Sequence, residues 1–342
     1  MSSIATVAEI AARAGVGTAT VDRVLNQRSG VAPTTTRRVL QAVAELGVPA
    51  PRGRPRERPT MRIAHVLPAL DAPWIGIAER LIAQVAGDFR HQHITAVTHR
   101  LDDHDPGAFA QRLRGLTDCQ GVALLAPDAP EVKLAVNELH RRGVPVVTLL
   151  SDLSGSMRAG YIGQDHRAAG RTAALLLGRM TRGARDTMLL AGQPARFGAD
   201  IERAVGFEQA LSERFPGLRL QRALELPADD TAAARAVGRM LRQGGLAGRL
   251  AGVYCIGAGT GGLLRALAAA GLQAQAGTVA HDLTDAHRAA LCAGTLDYVL
   301  HQDVHYCVLS AARLLRQLHE NLRGARTVVQ PQIEILTAEN LH

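Results

Sequence analysis

The sequence predicts an α/β protein in which a small all-helical head precedes a larger body built on two parallel sheets. Three observations carry that expectation. Residues 1–48 hold only helix-period apolar patterning, in two short helices joined by a Gly-containing turn and followed by a third. A stretch rich in Pro and Arg comes next. From Arg62 onward, short β-like apolar runs alternate with longer helical segments, which means βαβ units around parallel strands. At about 280 residues the body is large for one doubly wound sheet, so two similar sheets with a cleft between them are expected.

In the head, Val7, Ile10, Ala11 and Ala14 make one apolar face. Thr6 and Glu9 have the spacing of a capping box, and Gly15 stops the helix. The second helix starts at Gly17 or Thr18 and runs to Leu25. The third runs from about Thr34, where a Thr of "APTTT" can cap it, to Leu46 before Gly47, striped by Val39, Leu40, Val43 and Leu46. The stretch "GVGTATVDRVLNQ" puts Val16, Val21, Val24 and Leu25 against the neighbours and Thr18, Ala19, Thr20, Asp22, Arg23 and Asn26 outward. The second helix of a helix-turn-helix offers its early residues to base edges in the major groove. Arg23 has the fork to meet a guanine, and Thr20 and Asn26 suit phosphate oxygens. Residues 1–60 carry nine arginines against three glutamates and one aspartate, a net charge of +5 out of the whole chain's +8. That concentration points to an anionic partner more sharply than the overall charge does.

Between Val48 and Thr60 stand four prolines and four arginines, the latter at positions 52, 54, 56 and 58. Proline removes donors and disfavours helix in the residue before it, so this reads as a linker with a domain boundary near residue 60. In the body the β-like runs are "RIAHVL", "ITAVTH", "GVALLA", "VPVVTLL", "TMLLAG", "AGVYCI" and "DYVL". Helical segments are expected at 74–90, 106–117, 130–142, 165–180, 198–215, 229–243, 259–271 and 303–323. "QIEILTAENLH" completes a last strand.

Composition narrows the function. The chain is 47% hydrophobic but only 3% aromatic, so its core is built from Ala, Leu and Val. Cys119, Cys255, Cys292 and Cys307 are scattered without zinc-like spacing and read as reduced, small apolar residues. "MSSIATVAEIAARAG" lacks the basic and apolar regions of a signal peptide, and no run is long enough for a membrane span, so a cytoplasmic, nucleoid-associated protein is expected. "GAGTGG" at Gly257–Gly262 lacks the spacing of a nucleotide-binding loop and reads as a strand-to-helix turn. "HQDVHY" and "HRLDDHD" offer His and Asp, but a loop or strand role is favoured over metal. Asp165 and His166 have no nucleophile motif beside them. No catalytic residue, metal or cofactor is expected.

The stretch "TVAEIAARAGVGTATVDRVLNQRSGVAPTTTRRVLQAVAELG" resembles the DNA-binding head of the LacI/GalR family of transcriptional regulators. "DAPWIGIAERL", "YIGQDHRAAGR" and "RAVGF" resemble turns and helices of that family's effector domain, a relative of periplasmic sugar-binding proteins. The likeness spans about residues 5–325. It implies a two-lobed, periplasmic-binding-protein-like (type I) domain at 62–342, behind a head at 1–48 and a linker at 49–61. The first lobe is expected at 62–162 plus 295–323, and the second at 163–292 plus 325–342. It implies base-reading positions at Thr18, Ala19 and Arg23, and phosphate contacts at Thr20 and Asn26. Thr6, Asp22, Arg28, Arg52, Arg54 and Arg56 complete the DNA-facing set. In the cleft it implies Trp74 as an aromatic wall, Arg203 as a hydroxyl clamp, and Asp165, Asp282 and Gln302 as polar partners. Such types suit a sugar, polyol or sugar derivative, with the ring faced by an aromatic and the hydroxyls held by polar groups.

The departures are specific. Gly17 and Asp22 replace serines of the family pattern, and the linker lacks the family's hinge sequence and its Leu wedge. Its arginines are instead suited to track phosphates or a narrow groove. Leu150 and Ser151 replace an Asp-Arg pair, and "IGAGTGG" replaces a polar segment. No Leu-heptad tail follows the last strand, so a homodimer on a pseudo-palindromic operator is expected. The function expected is that of a repressor governed by a small ligand, without membrane contact. A ligand sensor without DNA control and a sugar-processing enzyme are the competing classes, and no acid–base carboxylate pair supports the last.

Overall fold

The computed structural model describes residues 6–25, 30–46, 60–70, 73–88, 93–193, 195–223, 225–227, 229–243, 245–320 and 329–341. The chain divides into two compact units, Met1–Thr60 and Met61–His342.

In the first unit, α1 (Val7–Ala14), α2 (Thr18–Leu25) and α3 (Pro33–Glu45) surround a core of Ile10, Ala11, Ala14, Val21, Val24, Val39, Ala42 and Val43. The Thr6–Glu9 capping box forms, and Gly15 closes α1 in the left-handed conformation at φ 64°. The start of α3 differs from the expected Thr cap. Ala32 is the N-cap without a side-chain bond and Pro33 is the first helical residue. Proline's fixed φ suits that position, and its missing N–H is one that no carbonyl would have met. Leu40 and Leu46, expected in the apolar stripe, are exposed, and Ala42 takes the buried position instead.

The second unit begins with β1 (Met61–Pro68), α4 (Pro73–Asp88), β2 (Ile94–Leu101), α5 (Pro106–Arg114), β3 (Gly121–Leu124), α6 (Pro130–Arg141), β4 (Val146–Leu149) and β5 (Gly160–Ile162). These strands form a parallel sheet of order β2-β1-β3-β4-β5. The chain then runs through α7 (His166–Met180), β6 (Thr187–Ala191), α8 (Gly198–Arg214), β7 (Arg219–Ala223), α9 (Asp230–Arg242), α10 (Leu246–Arg249), β8 (Leu250–Cys255), α11 (Thr260–Ala269), β9 (Gly277–His281), α12 (Asp285–Cys292) and β10 (Tyr298–His301). Next come α13 (Val304–His319) and β11 (Glu334–Leu336). The second sheet has the order β11-β10-β9-β8-β6-β7, parallel except for β11. Without its last strand it repeats the order of the first sheet. In such sheets ligands collect beyond the carboxyl ends of the strands, where the order reverses.

Among the described helices and strands after α7, only α13 returns to the first lobe, where Cys307, Val308, Ala311 and Leu315 join the core with Ile63, Val147 and Ile75. The expectation that residues 295–323 belong to the first lobe is therefore corrected. Tyr298–His301 lies inside the second sheet, bonded to β9 on one side and β11 on the other. The crossing falls at Gln302–Asp303, after the strand's hydrogen bonds are spent. β5, β7 and β9, with α10 and α12, are additional to the sequence reading. β5 has three residues, and β7 is a charged strand at the sheet edge with no buried residue, so neither shows an apolar run.

One helix crossing sets the second lobe. A Cβ on Gly170 of α7 would lie 2.0 Å from the Arg203 carbonyl oxygen of α8, and one on Gly206 of α8 would lie 2.1 Å from that of Arg167. The two backbones meet where only glycine fits on either side. We expect Gly206→Ala to destabilise the domain by about 3 kcal/mol, the upper end for overpacking a core. Gly217→Ala, where a Cβ has open space, should change little. Chemical denaturation of the two variants measures the difference, and equal midpoints would rule out the tight crossing.

Candidate functional site

On α2 the outward positions are as the helix period requires. Val21 and Val24 are buried, Thr18, Ala19 and Arg23 are exposed, and Thr20 and Asp22 are half-buried. Thr6 is exposed and engaged with Glu9. Asn26, Arg28, Arg52, Arg54 and Arg56 lie outside the described residues.

In the second unit a polar cluster gathers at the carboxyl ends of the strands. The α7–α8 crossing places His166, the first residue of α7, beside Arg203. Arg203 Nε donates to His166 Nδ1 at 3.2 Å, so the neutral ring carries its proton on Nε2 and donates it to the Leu150 carbonyl at 2.6 Å. Arg203 Nη1 donates to the Ile256 carbonyl at 3.2 Å and stands 3.9 Å from the Asp200 carboxylate. The guanidinium is thus tied to the loops after β4 and β8 at once, although only 5% of Arg203 is exposed. Tyr254 and His281 extend the cluster through a hydrogen bond of 2.5 Å. Asp282 follows β9, and Gln302 Nε2 donates to its Oδ1 at 3.4 Å. Arg203, Asp282 and Gln302, expected as ligand partners, thus belong to one neighbourhood. Trp74 stands on the other lobe, half-buried against the core of the first sheet.

Asp165 has a structural task, because its Oδ1 accepts from Ala168 N–H at 2.8 Å and caps α7. It is not bonded to His166. In "HQDVHY", Asp303 caps α13 and His301 accepts from Leu283 N–H. Asp102, Asp103 and His104 bring ligand atoms within 4.8 Å of one another, but the Asp103 carboxylate faces Arg196 at 3.0 Å, which supplies the positive charge there. The glycines of "GAGTGG" turn the chain from β8 into α11 and pack on the start of α9, where Gly262 N–H donates to Asp230.

Among the described residues, several buried polar atoms at this end of the sheets find no partner. Both side-chain atoms of Gln164, Gln302 Oε1 and His281 Nδ1 are buried and unpaired. Gln164 is wholly buried and Gln302 is 4% exposed. Each such group costs about 1–3 kcal/mol, which a ligand supplying hydroxyls would recover. Gln164, His166, Asp200, Tyr254 and His281 were not among the expected ligand residues. For Gln164, His166, Tyr254 and His281 the one signal in the sequence is position, at or within a few residues of a strand end, whereas Asp200 in the first turn of α8 has none. Strain points to the same place. Leu150 and Asp282 adopt left-handed backbone at φ 58° and 61°, one at a strand-end loop of each sheet. By contrast, a hollow of about 170 Å³ between Arg62, His99, Asp118 and Cys119, and another of about 340 Å³ around Glu208 and Arg222, contain none of these residues. We place the site on the converging buried polar groups, not on hollow volume.

Residues 63–322 match the family model described as a periplasmic binding protein domain, and residues 6–48 match that of bacterial regulatory proteins of the lacI family. The HTH-type transcriptional regulator MalR of Streptomyces coelicolor is 34% identical over 169 residues, which cover 47% of each chain. An uncharacterized HTH-type transcriptional regulator of Streptomyces limosus is 30% identical over 208 residues, 60% of this chain and 58% of its own. The chain thus matches about half the length of these curated relatives. Among solved structures, a LacI-type regulator from Bacteroides fragilis described as putative superposes with a TM-score of 0.73 at 17% identity, covering 82% of this chain and 98% of its own. The glucose-galactose binding protein GanP of Geobacillus stearothermophilus gives 0.72 at 17%, covering 83% and 99%. A Caulobacter myo-inositol binding protein gives 0.72 at 18%, covering 84% and 96%. At such identities the likeness is one of fold.

Burial gives the domain a pH dependence. Desolvation lowers His65 to about 4 and His166 to about 3, and it lowers His281 well below the ordinary imidazole value. Asp200 is raised to about 6, by desolvation first and then by Asp282. Unfolded histidines take up protons below about pH 6.5 that the folded ones refuse, so stability is lost as pH falls from there toward 4. Asp200 works in the opposite sense between pH 6 and its ordinary value and offsets one proton. His65→Leu should flatten the slope of stability against pH by about one proton, or about 1.4 kcal/mol per pH unit. Denaturant melts at pH 6.5 and 5 measure it, and an unaltered slope would refute the assignment.

Proposed function

The chain belongs to the periplasmic binding protein domain family and carries a lacI-family head, and from that premise we propose that it is a ligand-controlled, DNA-binding transcriptional regulator. The effector is a small polyhydroxylated molecule, a sugar, polyol or sugar derivative, bound between the lobes. The observation that carries this reading is the set of buried, unpaired amide and imidazole atoms around Arg203 and Asp282. They suit a ligand that both donates and accepts hydrogen bonds in a dry site. The sugar- and inositol-binding proteins that share the fold support the same ligand class.

The head supplies the output. Two heads of a homodimer engage half-sites of a pseudo-palindromic operator, with Thr18, Ala19 and Arg23 toward base edges and Thr20 toward phosphate. Asp22 near the phosphates repels unless it accepts from a cytosine amino group. The linker arginines add contacts that carry no sequence information. Effector binding shifts the balance between two lobe arrangements, and linkage makes operator binding shift effector affinity in return. The reading implies a protein that works in the cytoplasm and catalyses no reaction.

Two experiments test it. In gel shifts on the intergenic DNA upstream of its own gene, Arg23→Ala should weaken binding by about 1–3 kcal/mol, roughly 5- to 150-fold. Unchanged affinity and specificity would remove α2 as the reading helix. In a thermal-shift panel of pentoses, hexoses, polyols and their phosphates, one class should raise Tm in the native chain and not in Asp282→Asn. A flat panel, or a shift that survives the substitution, would count against the cleft.

A further inference from the structure

The amino-terminal rim of the second sheet, at the far end of its strands from the polar cluster, concentrates positive charge. Helices α7, α8 and α9 end there at Met180, Arg214 and Arg242, and β6, β7 and β8 begin there at Thr187, Arg219 and Leu250. Those strands are parallel neighbours, so the three loops lie side by side. Asp186 ties them together: its N–H donates to the Arg249 carbonyl at 3.0 Å, and its carbonyl accepts from Arg219 N–H at 2.6 Å. Segments 179–186, 213–219 and 239–250 hold eight arginines against one aspartate and one glutamate, a net charge of +6. Residues 1–60 carry +5 of the chain's +8, so the body carries +3, and the body outside this rim carries −3.

Folding accounts for only part of this charge. The two acidic groups are already engaged, Asp186 by Arg249 at 2.8 Å and Glu213 by Arg171 at 2.7 Å. Arg185 is spent on the carbonyls of Ala247 and Leu250. Arg179, Arg182, Arg239 and Arg242 are exposed and, among the described residues, stand in no ion pair. Three of these four sit in last helical turns, where the helix dipole favours a cation. Each dipole offers about half a negative charge, roughly 1.5 for three helices, which leaves most of the charge unanswered. The excess is a field for an external polyanion. Among the described residues, no exposed large apolar side chain lies in these segments, so the rim lacks the apolar centre of a protein interface. Guanidinium forks without apolar anchors suit a phosphate backbone. We propose that this rim is a second, sequence-independent surface for duplex DNA. The choice of DNA among polyanions rests on the regulator reading, whereas the concentration of charge does not. A chain that reads an operator through α2 gains here a contact that adds affinity by counterion release and no specificity.

The test is photo-crosslinking of the full-length chain to a random-sequence duplex. A photoreactive group goes on Gly217→Cys, in the α8–β7 loop where a side chain has open space, in a Cys292→Ser background that removes the exposed native thiol. At about 0.1 M salt the duplex should be captured from this position. It should not be captured from Glu131→Cys, exposed at the start of α6 beyond the carboxyl ends of the first sheet. Changing Arg179, Arg182, Arg239 and Arg242 together to Gln should cut capture about tenfold or more, because four phosphate contacts are lost. The charge-matched set Arg112→Gln, Arg141→Gln, Arg265→Gln and Arg313→Gln, exposed elsewhere on the body, should leave capture unchanged. All eight side chains are exposed, so both sets leave the core intact. No capture from Gly217→Cys, or an equal loss in the two arginine sets, would overturn the proposal; the first outcome leaves the rim to an acidic protein. A gel shift that depends on Arg23 beside no capture at Gly217→Cys counts against the rim alone. Capture there beside a gel shift indifferent to Arg23→Ala counts against α2 alone.

Discussion

The backbone contact between α7 and α8 is the constraint on which the second lobe depends. Gly170 and Gly206 let each helix lie against a carbonyl oxygen of the other, at a distance no Cβ would permit. That contact fixes the amino end of α7 against the middle of α8. There it sets His166 against Arg203, and Arg203 in turn against Ile256. The resemblance-bearing segments "HRAAG" and "RAVGF" therefore have a mechanical meaning. Each supplies one glycine of the crossing and one side chain of the cleft.

The cluster built on that crossing is costly, and the cost is informative. Two buried imidazoles, His166 and His281, are held neutral, and an arginine is desolvated beside a carboxylate raised to about 6. Two non-glycine residues are strained, and several amide and imidazole atoms find no partner among the described residues. A domain made for stability alone would bury leucines there, as it does throughout the sheets around it. Expense of this kind, at the reversal point of two parallel sheets, is what a specific polar ligand recovers on binding. His166 also joins the first lobe's strained Leu150 loop to the second lobe's Arg203.

The head solves a different problem. It has no aromatic residue and buries mainly Ile, Val and Ala, so three short helices close around a small core and leave one helix face free. The exposed face of α2 carries hydroxyls and one arginine and no buried polar group. Its affinity must come from partners outside the chain, whereas the cleft's strain is stored within it.

Helical and strand periodicity made both layers of the architecture legible, because apolar spacing reports which face meets a core whatever that core contains. The capping box at Thr6, the Gly15 stop, the two-sheet body and the buried positions of α2 were all readable in this way. Arg203, Asp282 and Gln302 came from resemblance, and the structure adds their common neighbourhood. The shortest strand, the charged edge strand and the Ala32–Pro33 start of α3 were not readable, since a three-residue strand or an uncapped end has no periodic signal. The placing of Gln164, His166, Asp200 and His281 and the inter-lobe contacts of residues 196–199 were invisible for a deeper reason. What sets them apart is whom they meet across long gaps in the chain, such as His166 with Arg203 or Arg196 with Asp103. The sequence alone determined the elements and their buried faces, which depend on local spacing. Only the tertiary structure decided which polar groups share a dry cleft, because that depends on where two sheets and a glycine-tight crossing bring distant residues together.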